Sequence, residues 1–271
     1  MDNNSAAFVG SIPDYYDRGL GPVIFADYAA YMARRAAAFG PSRVLETAAG
    51  TGIVSRELRD RLPADTEFTA TDLNEPMLAV AKGKFHPDEQ VEIRQADAQA
   101  LPFADGAFDA VVCQFGIMFF PDKPKSFAEA FRVLKPGGRY FFSVWDAHRY
   151  NSFARITDAL LKQTFPADPP AFYRVPFSCA AIDPIKEMLI EAGFTGIEIE
   201  VAPIDKTVAD LGLFADGLIL GNPVSEQIRA RGQVTAEAVR DQVLEALTRE
   251  FGSNPAIVPL QTIFYSVLKP R

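Results

Sequence analysis

Between Arg43 and Trp145 the chain alternates short apolar runs with amphipathic stretches, and this rhythm constrains its fold more than any other feature. The runs Arg43–Ala48, Phe68–Leu73, Val91–Asp97, Asp109–Phe115 and Arg139–Trp145 read as strands. Ile53–Leu62, Pro76–Phe85 and Ser126–Leu134 between them read as helices. Strands that alternate with helices of this length form β-α-β units around a parallel sheet. Such crossovers are right-handed, so helices are expected on both faces. Val111-Val112-Cys113 and Tyr140-Phe141-Phe142 are apolar without alternation, as strands buried on both sides require.

The flanks break the rhythm. Apolar and small residues recur at helical spacing from Pro22 to Phe39, and Gly40-Pro41 ends that helix, whereas Gly10, Pro13 and Gly19 interrupt any pattern in the first 19 residues. Beyond Trp145, a proline-rich stretch (Pro166, Pro169, Pro170, Pro176) contains one helix, Ser152–Phe165. Asp183-Pro184 reads as a helix cap and first turn, Gly193 as its end, and Gly196–Ile204 as a strand. Residues 207–251 read as helical, the last helix capped by Thr235 and stapled by Val234 and Val239, and Thr262–Leu268 as a closing strand. The expected division is an N-terminal helical segment 1–39, an α/β core 40–146, an insertion 147–181, a core continuation 182–206, a helical insertion 207–258 and a final core strand 259–271.

With 271 residues the chain buries about three quarters of its unfolded surface and needs no staple. Lys+Arg number 27 against 35 Asp+Glu, a net charge of −8 that disfavours a duplex nucleic-acid partner. Two cysteines (Cys113, Cys179) and two histidines (His86, His148) match no disulfide framework or metal spacing, so no metal is expected. No apolar run is long enough to span a membrane, and Met1-Asp2-Asn3-Asn4-Ser5 lacks the cationic start of a signal peptide, so a cytoplasmic location is expected. Nothing in the composition opposes a homodimer. Twenty-two phenylalanines point to a rich core or an apolar cavity.

Chemistry concentrates at Val44-Leu45-Glu46-Thr47-Ala48-Ala49-Gly50-Thr51-Gly52, a strand that runs into a glycine turn and a helix. Open parallel sheets bind ligands beyond the carboxyl ends of their strands. Asp72 and Asp97 end the next two strands, where carboxylates can accept ribose hydroxyls and a base amino group. The bland alternative is that these acids only cap helices and loops. A dinucleotide turn would want glycine at position 55, where this chain has Ser55, and Glu46 would face a diphosphate. An acid there suits S-adenosylmethionine, with its ammonium, sulfonium, ribose and adenine.

Five segments in order strengthen this reading: Leu45–Gly52; Thr71-Asp72-Leu73-Asn74-Glu75-Pro76-Met77-Leu78; Gln95-Ala96-Asp97-Ala98-Gln99-Ala100-Leu101-Pro102-Phe103; Phe108–Gly116; and Arg132–Gly138. With them the chain resembles the class I S-adenosylmethionine-dependent methyltransferases, above all the small-molecule group of the ubiquinone/menaquinone-biosynthesis enzymes. The resemblance implies an α/β Rossmann-like seven-stranded, mostly parallel sheet with an antiparallel last strand and helical lid insertions. It implies that Asp72 holds the ribose, that Leu73 and Met77 pack on the adenine, and that Asp97 and Ala98 read its edge. Glu46, Ala48, Gly50, Thr51, Gly52 and the backbone near Gln114 and Phe115 would hold the methionine part. Ala48 stands where the family has its first glycine, a change expected to be small if the backbone there is not left-handed.

Residues 1–39 and 207–258 would roof the site, with Tyr16 reaching the methionine carboxylate and Gly10, Gly19, Gly21 and Gly221 as hinges. Tyr15, Met118, Phe119, Trp145 and His148 are candidates for the acceptor pocket, and His148 is also a candidate general base. Cys113 reads as a core filler, His86 as an exposed loop residue, and Pro136-Gly137 as a turn into the fifth strand. The expected reaction is transfer of the methyl of S-adenosylmethionine to O, N or C of a small apolar or aromatic acceptor, leaving S-adenosylhomocysteine. A non-catalytic S-adenosylmethionine-binding protein and a nicotinamide-dependent oxidoreductase are the alternatives.

Overall fold

A computed structural model of the chain describes residues 6–253 and 255–271. Met1–Ser5, the start of the expected lid and the segment read for a signal, lie outside the described residues. Seven strands among those described form one sheet: β1 Arg43–Glu46, β2 Glu67–Asp72, β3 Val91–Gln95, β4 Phe108–Gln114, β5 Leu134–Trp145, β6 Thr195–Val208 and β7 Ala256–Leu268. Their order is β3-β2-β1-β4-β5-β7-β6. β7 runs antiparallel to both neighbours and the other pairs are parallel, which is the expected Rossmann-like α/β sheet. The chain reverses its direction of growth between β1 and β4, and a crevice opens there by geometry.

The helices are α1 Ile12–Tyr15, α2 Ala26–Ala38, α3 Ile53–Arg61, α4 Glu75–Lys82, α5 Lys123–Val133, α6 Ser152–Thr164, α7 Ile182–Glu191, α8 Leu211–Ile219, α9 Val224–Arg231 and α10 Ala236–Phe251. Strand alternation puts them on both faces. Phe39, just past α2, meets Phe141, whereas Phe127 of α5 meets Tyr140 and Phe142, whose side chains leave β5 on the opposite side. On the α5 side Phe142 stacks on Tyr265 across the β5–β7 register. On the α2 side Tyr28 packs on Trp145 and Phe264.

Three expectations need correction. The N-terminal helix does not begin at Pro22: α1, a π-helix over Tyr16–Phe25 and α2 follow one another from Ile12. Pro13 sits in the first turn, where no amide hydrogen is needed, and Gly19 is absorbed into the wider π turns. The last strand begins at Ala256, six residues before the expected Thr262, because β6 and β7 extend as a long antiparallel pair beyond the rest of the sheet. Pro136-Gly137 lies inside β5 rather than in a turn before it, with Gly137 at φ +81° and its amide bound to Lys269 O at 2.9 Å. The Thr235 cap is as expected, its hydroxyl accepting from Ala238 N at 3.1 Å.

The insertion after β5 is pinned to the sheet by Asn151, which is fully buried. Its Nδ2 donates to Asp146 O and Gln261 O, both at 3.0 Å, and its Oδ1 accepts from Gln261 N at 3.0 Å. The side chain therefore continues the β5–β7 ladder beyond Trp145. Asn151→Ala removes all three bonds and leaves Asp146 O and Gln261 N without this partner at a largely buried junction, so it is expected to lower stability by about 2 kcal/mol. Urea unfolding with an unchanged m-value is the measurement, and a loss under about 0.5 kcal/mol contradicts this role.

Candidate functional site

The turn that leaves β1 is built from left-handed residues. Gly50 (φ +57°) and Gly52 (φ +80°) take this conformation freely, and a side chain at Gly52 would meet the Ala81 Cβ at 2.9 Å. Ala48 is left-handed as well, at φ +53°. The expectation that alanine fits here without strain is therefore overturned, since this backbone costs an L-residue about 1–2 kcal/mol. Phe115, just past β4, is the other non-glycine residue at positive φ among those described, at +55°. Both line the same cleft, where strain of this kind tends to collect.

Carboxylates hold the turn in place. Asp72, 7 % exposed, accepts from Gly50 N at 2.9 Å through Oδ2 and from Asn74 N at 2.8 Å through Oδ1. Burial raises its pKa, and these backbone bonds oppose the rise. Glu46, 1 % exposed, accepts from Ser55 Oγ at 2.6 Å. Burial pushes its carboxyl up to about 8; the Ser55 bond opposes this, and the charge of Asp72 adds to it. Asp97 lies two residues past β3 and accepts from Gln99 N at 2.8 Å through Oδ1. Asp72 and Asp97 each keep lone pairs free for a ligand.

Around this turn opens a cleft of about 330 Å³. Tyr16, Ala48, Gly50, Asp72, Leu73, Met77, Asp97, Ala98, Gln114 and Phe115 all line it, and Leu73 is 55 % exposed at its mouth. Glu46 and Thr51 border a smaller hollow of about 30 Å³, which shares Tyr16, Gly50, Gln114 and Phe115 with the cleft. Gly52 lines neither space and serves packing against α4. Thr51 Oγ1 and Gln114 Oε1 are buried without a partner beside the hollow, which fits a ligand bearing hydrogen-bond donors there. This set of acceptors therefore suits the ammonium and hydroxyls of S-adenosylmethionine.

A third space, about 50 Å³, adjoins the cleft; its walls are mostly aromatic, with Leu20, Ile24, Pro176, Leu218 and Asn222 among them. Phe115 stacks on Trp145 at 4.1 Å with an interplanar angle of 2°, and Tyr16 stacks on Phe25 at 4.9 Å. Phe153, Phe172, Tyr173 and Phe177 add further rings to the walls. Tyr16 and Phe115 border all three spaces. Burial, Asp72 and Asp17, in that order, raise the Tyr16 pKa, so its hydroxyl stays a donor.

Of the expected acceptor-pocket residues, Phe119 and Trp145 line the aromatic chamber. Tyr15 and Met118 do not; Met118 is in the core, in the short helix Ile117–Phe119. His148 lines neither space. Its Nε2 meets Tyr173 O at 3.1 Å and its ring packs on Phe177 at 4.4 Å, so it buttresses the wall from behind. Phe8, Phe153, Phe172, Tyr173, Phe177 and Asn222 were missed, because they come from the irregular flanks and no local pattern marks them. Among the described residues no cluster could hold a metal ion.

The roof is fixed by close backbone contact. A Cβ on Gly19 would lie 2.5 Å from Leu213 O, one on Gly217 2.8 Å from Gly19 C, and one on Gly221 2.7 Å from Tyr16 N. Gly19 and Gly221 are therefore packing points rather than the hinges expected. Gly10, at φ +65° with nothing nearby, is free to act as one. Lys84 and Asp17 form an ion pair that ties the π-helix to the end of α4.

Residues 45–142 match the sequence model of a methyltransferase domain. Over 166 residues the chain is 34% identical to the demethylmenaquinone methyltransferase of Thermus thermophilus, covering 57% of this chain and 75% of that one. Over 174 residues it is 30% identical to the ubiquinone/menaquinone biosynthesis C-methyltransferase of Pectobacterium carotovorum, covering 57% and 67%. Among solved structures, phosphoethanolamine N-methyltransferase 2 of Haemonchus contortus, bound to phosphomonomethylethanolamine and S-adenosylhomocysteine, shares the fold. There the TM-score is 0.58 at 19% identity, over 97% of this chain and 61% of that one.

Two outcomes follow from the strain and the buried acid. Ala48→Gly relieves the left-handed alanine and is expected to raise the free energy of unfolding by ~0.5–1 kcal/mol; no gain in chemical denaturation overturns the strain. The folded protein holds a proton on Glu46 between its ordinary value of 4.5 and about 8, where the unfolded chain has released it. The stability from this group is complete below the unfolded value and is lost as pH rises through about 8, with a slope of up to ~1.4 kcal/mol per pH unit. Glu46→Gln should flatten that decline in urea midpoints taken from pH 6 to 8.5, and parallel curves for the two proteins refute it.

Proposed function

Because the chain belongs to the class I S-adenosylmethionine-dependent methyltransferases, we propose that its cleft holds the cofactor and its aromatic chamber a small, largely apolar or aromatic methyl acceptor. One observation carries this division: a cleft that bears the carboxylates of Asp72 and Asp97 and a chamber without any carboxylate meet at a shared wall of Phe8, Tyr16, Phe115 and Phe119. A methyl group can pass between ligands of opposite character only where two such spaces touch.

When bound, S-adenosylmethionine supplies a methyl already activated by its sulfonium. The chain's own work is then to bind, align and exclude water. Asp72 and Asp97 accept from ribose hydroxyls and the base amino group through their free lone pairs. Met77 and Leu73 cover the base. Glu46, Thr51 Oγ1 and Gln114 Oε1 gather acceptors around the ammonium, and Tyr16 donates to the carboxylate. Phe115, locked by its stack on Trp145, holds the boundary between cofactor and acceptor. Among the described residues, the titratable side chains that border the chamber are Tyr16 and Tyr173, both held protonated by burial. This favours an acceptor whose nucleophile needs no strong base from the protein.

The relatives named as quinone-biosynthesis methyltransferases support an aromatic acceptor, as do the chamber walls. No helix among those described is long and apolar enough to cross a membrane.

Calorimetry with S-adenosylhomocysteine is expected to give micromolar binding, weakened in Asp72→Ala by about 1–3 kcal/mol. Absence of heat in ligand-free protein contradicts the cofactor site. Transfer of labelled methyl from S-adenosylmethionine to nucleic acid, but to no small molecule of a cell extract, contradicts the acceptor class.

A further inference from the structure

The aromatic chamber ends in a polar group, Asn222, on the turn that follows α8. Its Nδ2 donates to Gly217 O at 3.2 Å and to Leu218 O at 3.1 Å. The Tyr173 hydroxyl donates to the same Leu218 O at 2.7 Å, so both lone pairs of that carbonyl are filled. Only the NH₂ end of an amide can face two carbonyls, and this orients Asn222 by chemistry. Its Oδ1 then points away from them. Asn222 is 6 % exposed and lines the chamber. Among the described residues its Oδ1 has no hydrogen-bond partner and is not sealed from solvent, and the space that Asn222 borders is the chamber.

We infer that Asn222 Oδ1 reads a hydroxyl or N–H hydrogen of the methyl acceptor and makes this chain select acceptors that carry such a donor. The inference rests on the chamber being the acceptor site. Tyr173 has spent its one proton on Leu218 O, so neither Asn222 Oδ1 nor the Tyr173 hydroxyl has a hydrogen to offer at this end of the chamber. An ether or ketone oxygen placed against them would meet only lone pairs, and a buried site built to accept rejects a partner that cannot donate. The chamber has room for roughly three or four water-sized groups, so the donor-bearing edge of a flat ring fills it.

The test uses the full chain saturated with S-adenosylhomocysteine, titrated calorimetrically with 1-naphthol and with 1-methoxynaphthalene. Heat from S-adenosylhomocysteine itself is recorded first, so that failure of the cofactor reading shows separately. Wild-type protein is expected to bind the naphthol at least tenfold more tightly than its methyl ether, and Asn222→Leu to bind the two equally. Discrimination that survives in Asn222→Leu, or is absent from wild type, overturns the inference. If neither compound binds the cofactor-loaded protein, the aromatic acceptor reading falls and this inference with it. Should Asn222→Leu not fold, a crystal structure of the wild type with S-adenosylhomocysteine and 1-naphthol decides. The naphthol oxygen within hydrogen-bond reach of Asn222 Oδ1 supports the inference, and any other placement refutes it.

Discussion

A buried carboxylate, Asp72, accepts the Gly50 amide at 2.9 Å, and so joins the end of β2 to the turn leaving β1. Parallel strands end side by side, but nothing in their ladder dictates how the chain departs from them. That bond does so here, together with those from Thr47 N to Val112 O and from Ala49 N to Thr71 O. It helps hold the left-handed path that Ala48 follows under strain, and keeps the Asp72 carboxylate on the wall of the cleft. Glu46 is buried nearby, and its carboxyl is raised above the ordinary value first by that burial and then by the charge of Asp72, against the Ser55 bond.

The second organising element is the row of rings. Phe115 and Trp145 leave the ends of adjacent strands and stack face to face, which turns the sheet edge into a flat apolar floor. The N-terminal segment adds Phe8, Tyr16 and Phe25, and the later insertions add Phe153, Phe172 and Phe177. The unusual number of phenylalanines is thus divided between core and cavity. The polar half of the site comes from the sheet and the apolar half largely from what is folded over it. A change of acceptor could therefore arise in the flanking segments without disturbing the turn.

Sequence reasoning reached the sheet and the polar half of the site because both are local. Strand runs, cap residues and strand-end acids announce themselves within a few positions, and all but Gly52 of the expected cofactor residues border the cleft or its adjoining hollow. The apolar half was hidden. Phe153, Tyr173 and Asn222 belong to elements whose pattern says only that one side is buried, and not against what. Met118 and His148 were misjudged for the same reason: proximity along the chain placed them near the strand ends, but side-chain direction sent one into the core and the other behind the wall. Ala48 failed differently, since residue type carries no record of φ where a fold imposes an unfavourable one.

The π-helix over Tyr16–Phe25 closes its turns one residue wider than an α-helix would, as the bond from Ala26 N to Gly21 O shows. Each residue of an α-helix advances the side chains by about 100°. Tyr16 and Phe25 face each other only because these wider turns bring them into register. Loss of one residue from this stretch would swing Tyr16 around the axis and away from the cleft, even with every remaining side chain intact. Chain length is therefore under tighter constraint here than composition: point substitutions at its outward positions leave the register alone, whereas a one-codon deletion cannot.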